Sequence, residues 1–312
     1  EISYVGGTDS NDVVLIFDTT PVVMIPNVLV DNDIILQING ANTEVIADGL
    51  TVFNALTSAV LELTIDSGGG DDSFTVNFAN GNPIPAGGVL LNGGTQSNLT
   101  GDRLTITGNG TAFTSQTFNF TDSDANGNNG NVVLNDGTDI RTITFLGLEP
   151  INGGTSVATT FNLPNVINPD ATLQNNATAG FVEFVGSTFE NTIIPNPTGS
   201  LTINGGAALD EITLASLDTA FNADLTIIGG LGGSDAVNLN TILTGFAKSL
   251  TVNAETIDVN AALGLTGDPT AAISLTGNSV TLGANLSTDG GAITLSGNVL
   301  VDGANVTIDT EN

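Results

Sequence analysis

Between residues 201 and 295 the chain repeats one three-residue pattern five times. The copies are Leu201-Thr202-Ile203, Leu225-Thr226-Ile227, Leu250-Thr251-Val252, Ile273-Ser274-Leu275 and Ile293-Thr294-Leu295. Aliphatic, hydroxyl, aliphatic is the period-2 signature of a strand with one buried face. Successive copies start at positions 201, 225, 250, 273 and 293. A second triplet follows each of the first four: Ile212-Thr213-Leu214, Val237-Asn238-Leu239, Ile257-Asp258-Val259 and Val280-Thr281-Leu282, with Leu300 and Val301 in the last unit. Corners rich in Gly and Asn separate them, and no stretch sustains a helical period. A near-constant period in the twenties predicts stacked coils, each burying its apolar face on its neighbours. Residues 199–312 are therefore read as a parallel β-solenoid of five rungs. A β-sandwich is the alternative, but its hairpins do not normally repeat so regularly.

Upstream the pattern loosens. Strand-like runs are expected at Val13–Phe17, Ile34–Ile38, Leu61–Ile65, Phe74–Phe78, Leu104–Thr107, Thr117–Phe120 and Ile143–Phe145. Nine of the 10 Pro and twelve of the 14 Phe precede residue 200. Proline keeps out of central strands, so corners and edges are frequent here. The expected organisation is a β-rich module over 1–150, a β-rich connecting segment over 151–198 and the solenoid over 199–312, an all-β chain whose first part is either solenoid or sandwich. Ile2-Ser3-Tyr4-Val5-Gly6 is echoed by Val182-Glu183-Phe184-Val185-Gly186, a hint of a longer repeat.

Charge narrows the partners. Acidic residues number 33 and basic ones 3 (Arg103, Arg141 and Lys248), a net charge of −30. Three scattered cations cannot grip a phosphate backbone, so nucleic-acid binding is excluded, and anionic membrane surfaces are disfavoured on the same ground. Such a surface stays soluble and attracts cations. The chain has no Cys, His or Trp, which removes disulfides, His-based catalysis and the usual zinc sites. No apolar run approaches the roughly 20 residues of a membrane span. The chain begins at Glu1 without a signal peptide, so a processed protein or a piece of a longer one is expected.

The stretches 196–214 (NPTGSLTINGGAALDEITL), 222–239 (NADLTIIGGLGGSDAVNL), 145–151 (FLGLEPI) and 250–263 (LTVNAETIDVNAAL) carry a family likeness. They resemble units of very large repetitive bacterial surface or secreted proteins, which mix degenerate haemolysin-type repeats with filamentous-haemagglutinin-like solenoids. The resemblance implies a secreted or cell-surface location and an adhesive or structural role. It implies no catalytic residue.

Two turns have the chemistry of calcium ligation. Gly68-Gly69-Gly70-Asp71-Asp72-Ser73-Phe74 fits G-x-G-x-D-x-U, in which glycine allows a tight turn, carbonyls face the ion and an aspartate ligates it. Its relatives at 6–13, 205–212 and 229–237 depart from that spacing. Such sites need tandem copies, so the competing reading is a corner whose Asp71 or Asp72 caps backbone amides. The second turn, Asp122-Ser123-Asp124-Ala125-Asn126-Gly127, opens like a calcium loop with ligands expected at Asp122, Asp124 and Asn126. Position 12 is Val133 instead of Glu, which excludes an EF-hand. Calcium is thus the only cofactor expected, and an ordinary polar turn is the alternative.

The outward Thr202, Thr226, Thr251, Ser274 and Thr294 should align as a ladder on stacked rungs. Flat threonine arrays can order water, but ice binding ordinarily uses two threonines per strand, and the second column here reads Asn204, Ile228, Asn253, Thr276 and Ser296. No enzyme is expected: glycosidases need two carboxylates about 5–10 Å apart. The adjacent pairs Asp71/Asp72 and Asp210/Glu211 sit at corners, and residues adjacent on a strand face opposite ways. The expected function is a non-enzymatic segment of an extracellular bacterial surface fibre or adhesin, self-associating or continuing end to end beyond a chain end without a cap. The alternative is a calcium-dependent module that binds a cell surface or glycan.

Overall fold

Among the described residues of the computed structural model, every regular element except one 3-10 turn, Thr57–Ala59, is a β-strand. The structure describes residues 2–6, 13–17, 20–25, 30–96, 101–108, 110–124, 127–230, 234–246 and 248–310, with the backbone alone for 2–6, 13–17, 122–124, 127 and 244–245. The chain forms two compact units. One is residues 1–111 with 124–152; the other is residues 112–123 with 153–312.

The second unit is a parallel solenoid. Its first ladder runs through the strands Phe113–Asp124, Ser156–Asn162, Ser200–Asn204, Asp224–Ile228 and Leu250–Asn253, then the leading halves of Ile273–Leu282 and Ile293–Val301. The five triplets pair in register, Leu201 on Leu225, Leu225 on Leu250, Leu250 on Ile273 and Ile273 on Ile293. A second ladder stacks Asn168–Asn175, Asp210–Leu214, Ala236–Leu239, Thr256–Val259 and the trailing halves of the last two long strands. A third ladder joins Leu243–Phe246, Leu263–Leu265, Leu286–Thr288 and Ile308–Asp309.

The solenoid therefore starts well upstream of residue 199. Its first ladder aligns Thr117, Thr160, Thr202, Thr226, Thr251, Ser274 and Thr294. The rungs from Thr117 to Thr160 and from Thr160 to Thr202 are much longer than the four that follow. The long rungs carry added strands: Asn168–Asn175, Phe181–Val185 and Thr192–Pro195 pair antiparallel in sequence. The sequence echo at 182–186 falls on this meander, and its counterpart Ile2–Gly6 also lies in an antiparallel pair, with Val13–Phe17.

Side-chain size follows rung size. In the long rungs the interior is filled by a phenylalanine stack, with Phe118 on Phe161 at 5.1 Å, Phe161 on Phe184 at 4.8 Å and Phe184 on Phe189 at 4.9 Å. The short rungs pack aliphatic columns instead. Leu201, Ile203, Leu225, Ile227, Ile257, Val259, Leu275 and Leu282 are all fully buried. Each such column places like on like at the rung spacing of about 4.8 Å, so burial is continuous along the stack.

The first unit uses the same construction less regularly. Val22–Met24, Leu63–Asp66, Val89–Asn92 and Ile140–Leu146 form one parallel ladder. Asp33–Asn39, Ser73–Asn77, Asp102–Thr107 and Leu148–Asn152 form the other. Antiparallel insertions interrupt it: Asp33–Asn39 continues into Asn42–Ala47 and Leu50–Leu56, and Gly127–Asn135 pairs with Ile140–Leu146. The first two-thirds of the chain are thus stacked parallel strands with hairpins added, rather than a sandwich.

Glycine is required where successive corners touch. A Cβ built on Gly205 would lie 1.6 Å from the Gly229 carbonyl oxygen of the next rung. Gly70, at φ +137, sits with its Cα against the Val30–Asp31 peptide, where a Cβ would come within 2.7 Å of a backbone carbon. The glycine-rich turns are there because the backbones of neighbouring corners meet.

Candidate functional site

Several corners that lead into second-ladder strands carry a polar residue two positions before the first inward apolar side chain. In the first unit these are Asn32 before Ile34, Asp72 before Phe74 and Asp102 before Leu104; in the second they are Asp210 before Ile212, Asp235 before Val237 and Glu255 before Ile257. Asn32, Asp72, Asp102, Asp210 and Asp235 are all at most 2% exposed.

Their bonds run along the stack. Asp72 Oδ1 accepts the Asn32 backbone N–H at 2.7 Å, and Asp102 Oδ1 accepts the Asp72 N–H at 2.5 Å. In the second unit Asp235 Oδ1 accepts the Asp210 N–H at 2.9 Å and Glu255 Oε2 accepts the Asp235 N–H at 3.2 Å. The Asn168 side chain donates to Asp210 Oδ1, and the Gly206 N–H to its Oδ2 at 2.6 Å. The return bonds are backbone: Ser73 N–H to the Asn32 carbonyl at 2.8 Å and Arg103 N–H to the Asp72 carbonyl at 2.8 Å. Asp72, Asp102, Asp235 and Glu255 thus each clip the corner N–H of the rung before, a donor that the strand ladder leaves over, whereas Asp210 holds the Asn168 side chain. A buried amide without an acceptor costs about 1–3 kcal/mol, and a bond to a charged acceptor is among the stronger ones.

Burial has an electrostatic consequence. Desolvation pushes the Asp102 carboxyl up to about 7, against the pull of the Asp72 N–H bond and with help from the negative charges of Asp72, Asp71 and Asp31. Asp72, Asp210 and Asp235 are raised by desolvation in the same way. One oxygen of Asp102 and one of Asp235 (Oδ2 in each) have no hydrogen-bond partner among the described residues. A carboxyl so placed favours its protonated form or a compensating cation.

The expected ligands are distributed as follows. Asp72 points inside and belongs to the carboxylate ladder, whereas Asp71 is half-exposed, with its N–H on Asp31 Oδ1 at 2.9 Å. The two adjacent acids do not form one pair. The amide capping expected of this corner is present, but it reaches across to Asn32 on the preceding rung rather than to a local amide. Asp122 and Asp124 lie at the end of the strand Phe113–Asp124, and Asn126 lies outside the described residues. Among the described residues no three His, Cys, Asp or Glu side chains come together as a metal-binding group. Motif reading misses Asp102 and Glu255, and it reaches Asp235 only within 229–237, as a glycine-rich turn of irregular spacing. Their signal is an acid two positions ahead of an inward aliphatic, repeated from rung to rung.

The concave surfaces are modest. A groove of about 560 Å³ in the first unit is lined by Leu56, Val60, Leu61, Ile84, Pro85 and Arg141, with Arg141 paired to Asp139 at 3.2 Å. A cavity of about 300 Å³ in the second is lined by Asp218, Phe221, Ile242, Leu243 and Phe246, among others. Neither brings two carboxylates together. Among the described residues no helix is long and apolar enough to cross a membrane. No protein-family model, curated protein or solved structure matches the chain.

Proposed function

We propose that this chain is a structural, adhesive segment of an extracellular bacterial surface fibre or giant adhesin, non-enzymatic, assembling or continuing end to end. One observation carries the reading: the last rung repeats the core columns but leaves them open. Leu282 is fully buried, and Val301, its partner in register, is 56% exposed; Leu286 is fully buried, and Ile308 below it is 49% exposed. An open strand edge with exposed aliphatics is a template for another rung, supplied by further chain or by a second copy. The haemolysin- and haemagglutinin-like stretches of the sequence favour the same surface location.

The test is light scattering across a concentration series, comparing the native chain with Leu300→Asp/Val301→Asp. The native chain should form oligomers that grow beyond a dimer with concentration, and the variant should lose that growth at an unchanged melting temperature. A native chain that is monomeric throughout contradicts end-to-end assembly.

A second reading, a calcium-dependent module for a cell surface or glycan, is favoured by the buried, partly unbonded Asp102 beside Asp72. It requires the unfolding midpoint to drop when chelator is added; an unmoved midpoint removes it.

A further inference from the structure

The outward face of the first ladder in the second unit is almost free of charge. Three columns cross its seven strands, running from Ser115, Thr117 and Asn119 at one end to Ala292, Thr294 and Ser296 at the other. Within those columns only Asp224 is ionisable, on a chain of net charge −30. The second ladder, by contrast, presents Glu211 and Asp258. The central column is hydroxyl on every strand. Part of the third column is an amide ladder: Asn162 Nδ2 donates to Asn119 Oδ1 at 2.6 Å, and Asn204 Nδ2 to Asn162 Oδ1 at 2.8 Å. These bonds hold the amides flat along the stack. The side chains on the columns are half-buried or exposed, so the surface is available.

We infer that this face pairs with the same face of a second copy. Three features select that occupant. Two copies repel wherever their acids meet, and across its seven strands this face sets only Asp224 against a partner, whereas the second ladder presents Glu211 and Asp258. The columns repeat at about 4.8 Å, and an identical ladder matches that repeat along its whole length. Short hydroxyl and amide side chains on two such sheets interdigitate as in a steric zipper. A neutral glycan is a poorer fit, because the columns carry no aromatic ring on which a sugar could stack. Seven strands at about 4.8 Å by four residue steps of about 3.3 Å give roughly 400 Å² per copy. A contact of that size, about 800 Å² in total, lies below the range of stable interfaces and among weak, transient ones, so the pairing is concentration-dependent and gains strength when many rungs align. It is lateral, and does not depend on end-to-end assembly.

The test uses the full chain with its last rung blocked by Leu300→Asp/Val301→Asp, so that any association is lateral. The chain has no cysteine of its own. A single thiol introduced by Thr226→Cys on the first ladder should give covalent dimers with a short bis-maleimide, and Thr213→Cys on the second ladder should not. In sedimentation velocity the dimer fraction should rise with protein concentration and with salt, which screens the general repulsion. Thr202→Asp/Thr251→Asp should weaken dimerisation at least tenfold. If the double aspartate variant fails to fold, the cross-linking comparison still decides. A monomer at all concentrations, equal cross-linking through residues 213 and 226, or retention on uncharged cellulose without dimers would each overturn the pairing. None of these results bears on end-to-end assembly, which the blocked background has removed.

Discussion

Asp102 is held between a bond that favours its charge and a surrounding that opposes it. Its Oδ1 accepts the Asp72 amide, but desolvation prevails and lifts the carboxyl to about 7 from an ordinary 3.8. The folded chain therefore keeps, between those two values, a proton that the unfolded chain has released. The sign follows: this contribution to stability is fully present below pH 3.8 and is lost as pH rises through about 7. Asp72, raised by the same cause, adds to the trend, and the facing charges of Asp71 and Asp31 reinforce it. Urea midpoints should accordingly fall between about pH 5 and about pH 8. Asp102→Asn keeps an oxygen for the Asp72 amide and removes the titration, so its midpoint should change far less over that range and exceed the native one at its upper end. A native midpoint that rises with pH would contradict the assignment. Glycine gives a second prediction at this scale. Gly205→Ala drives a Cβ into the Gly229 carbonyl and should destabilise by about 1–3 kcal/mol, the usual cost of overpacking. Chemical denaturation reads it directly.

Stacked strands make a residue's worth depend on its rung. Leu282 and Val301 occupy the same core column, one fully buried and the other 56% exposed. Leu282→Ala should cost about 2–5 kcal/mol as a large-to-small core change. Val301→Ala should cost less than about 0.5 kcal/mol, as an ordinary surface change, and near-equal costs would show that the last rung is covered. The same comparison explains which elements could be read from sequence. The five short rungs were legible because their corners are brief and alike, so equivalent positions recur at a short, nearly constant step. The rungs from Phe113 to Ser200 hid because the meander through Phe181–Val185 and Thr192–Pro195 pushes Thr202 far along the chain from Thr160, its neighbour in the ladder. The third ladder hid for the opposite reason. Leu263-Gly264-Leu265 is too short to show a period, and only its stacking on Leu243 and Leu286 makes it a strand. The carboxylate ladder was legible only in part: Asp72 and Asp210 stood out in glycine-rich turns, but Asp102 follows Gly101 alone and Glu255 follows no glycine. What they share is their distance from the first inward aliphatic, which acquires meaning only once the rungs are aligned.

As a whole the molecule separates its chemistry by direction. Along the stack, backbone ladders, aliphatic columns and corner carboxylates join rung to rung, and Val301 and Ile308 on the last described rung are exposed. Across the second unit, the hydroxyl face of the first ladder carries Asp224 alone, whereas the second ladder presents Glu211 and Asp258. The proposed fibre role rests on the first of these directions. Electron microscopy and diffraction from the aligned, concentrated protein test it most directly. The account predicts unbranched filaments that give a meridional reflection at about 4.8 Å, with the rungs stacked along the filament axis. Separate particles one chain in length at every concentration, or filaments whose spacing of about 4.8 Å runs across the axis, would contradict it.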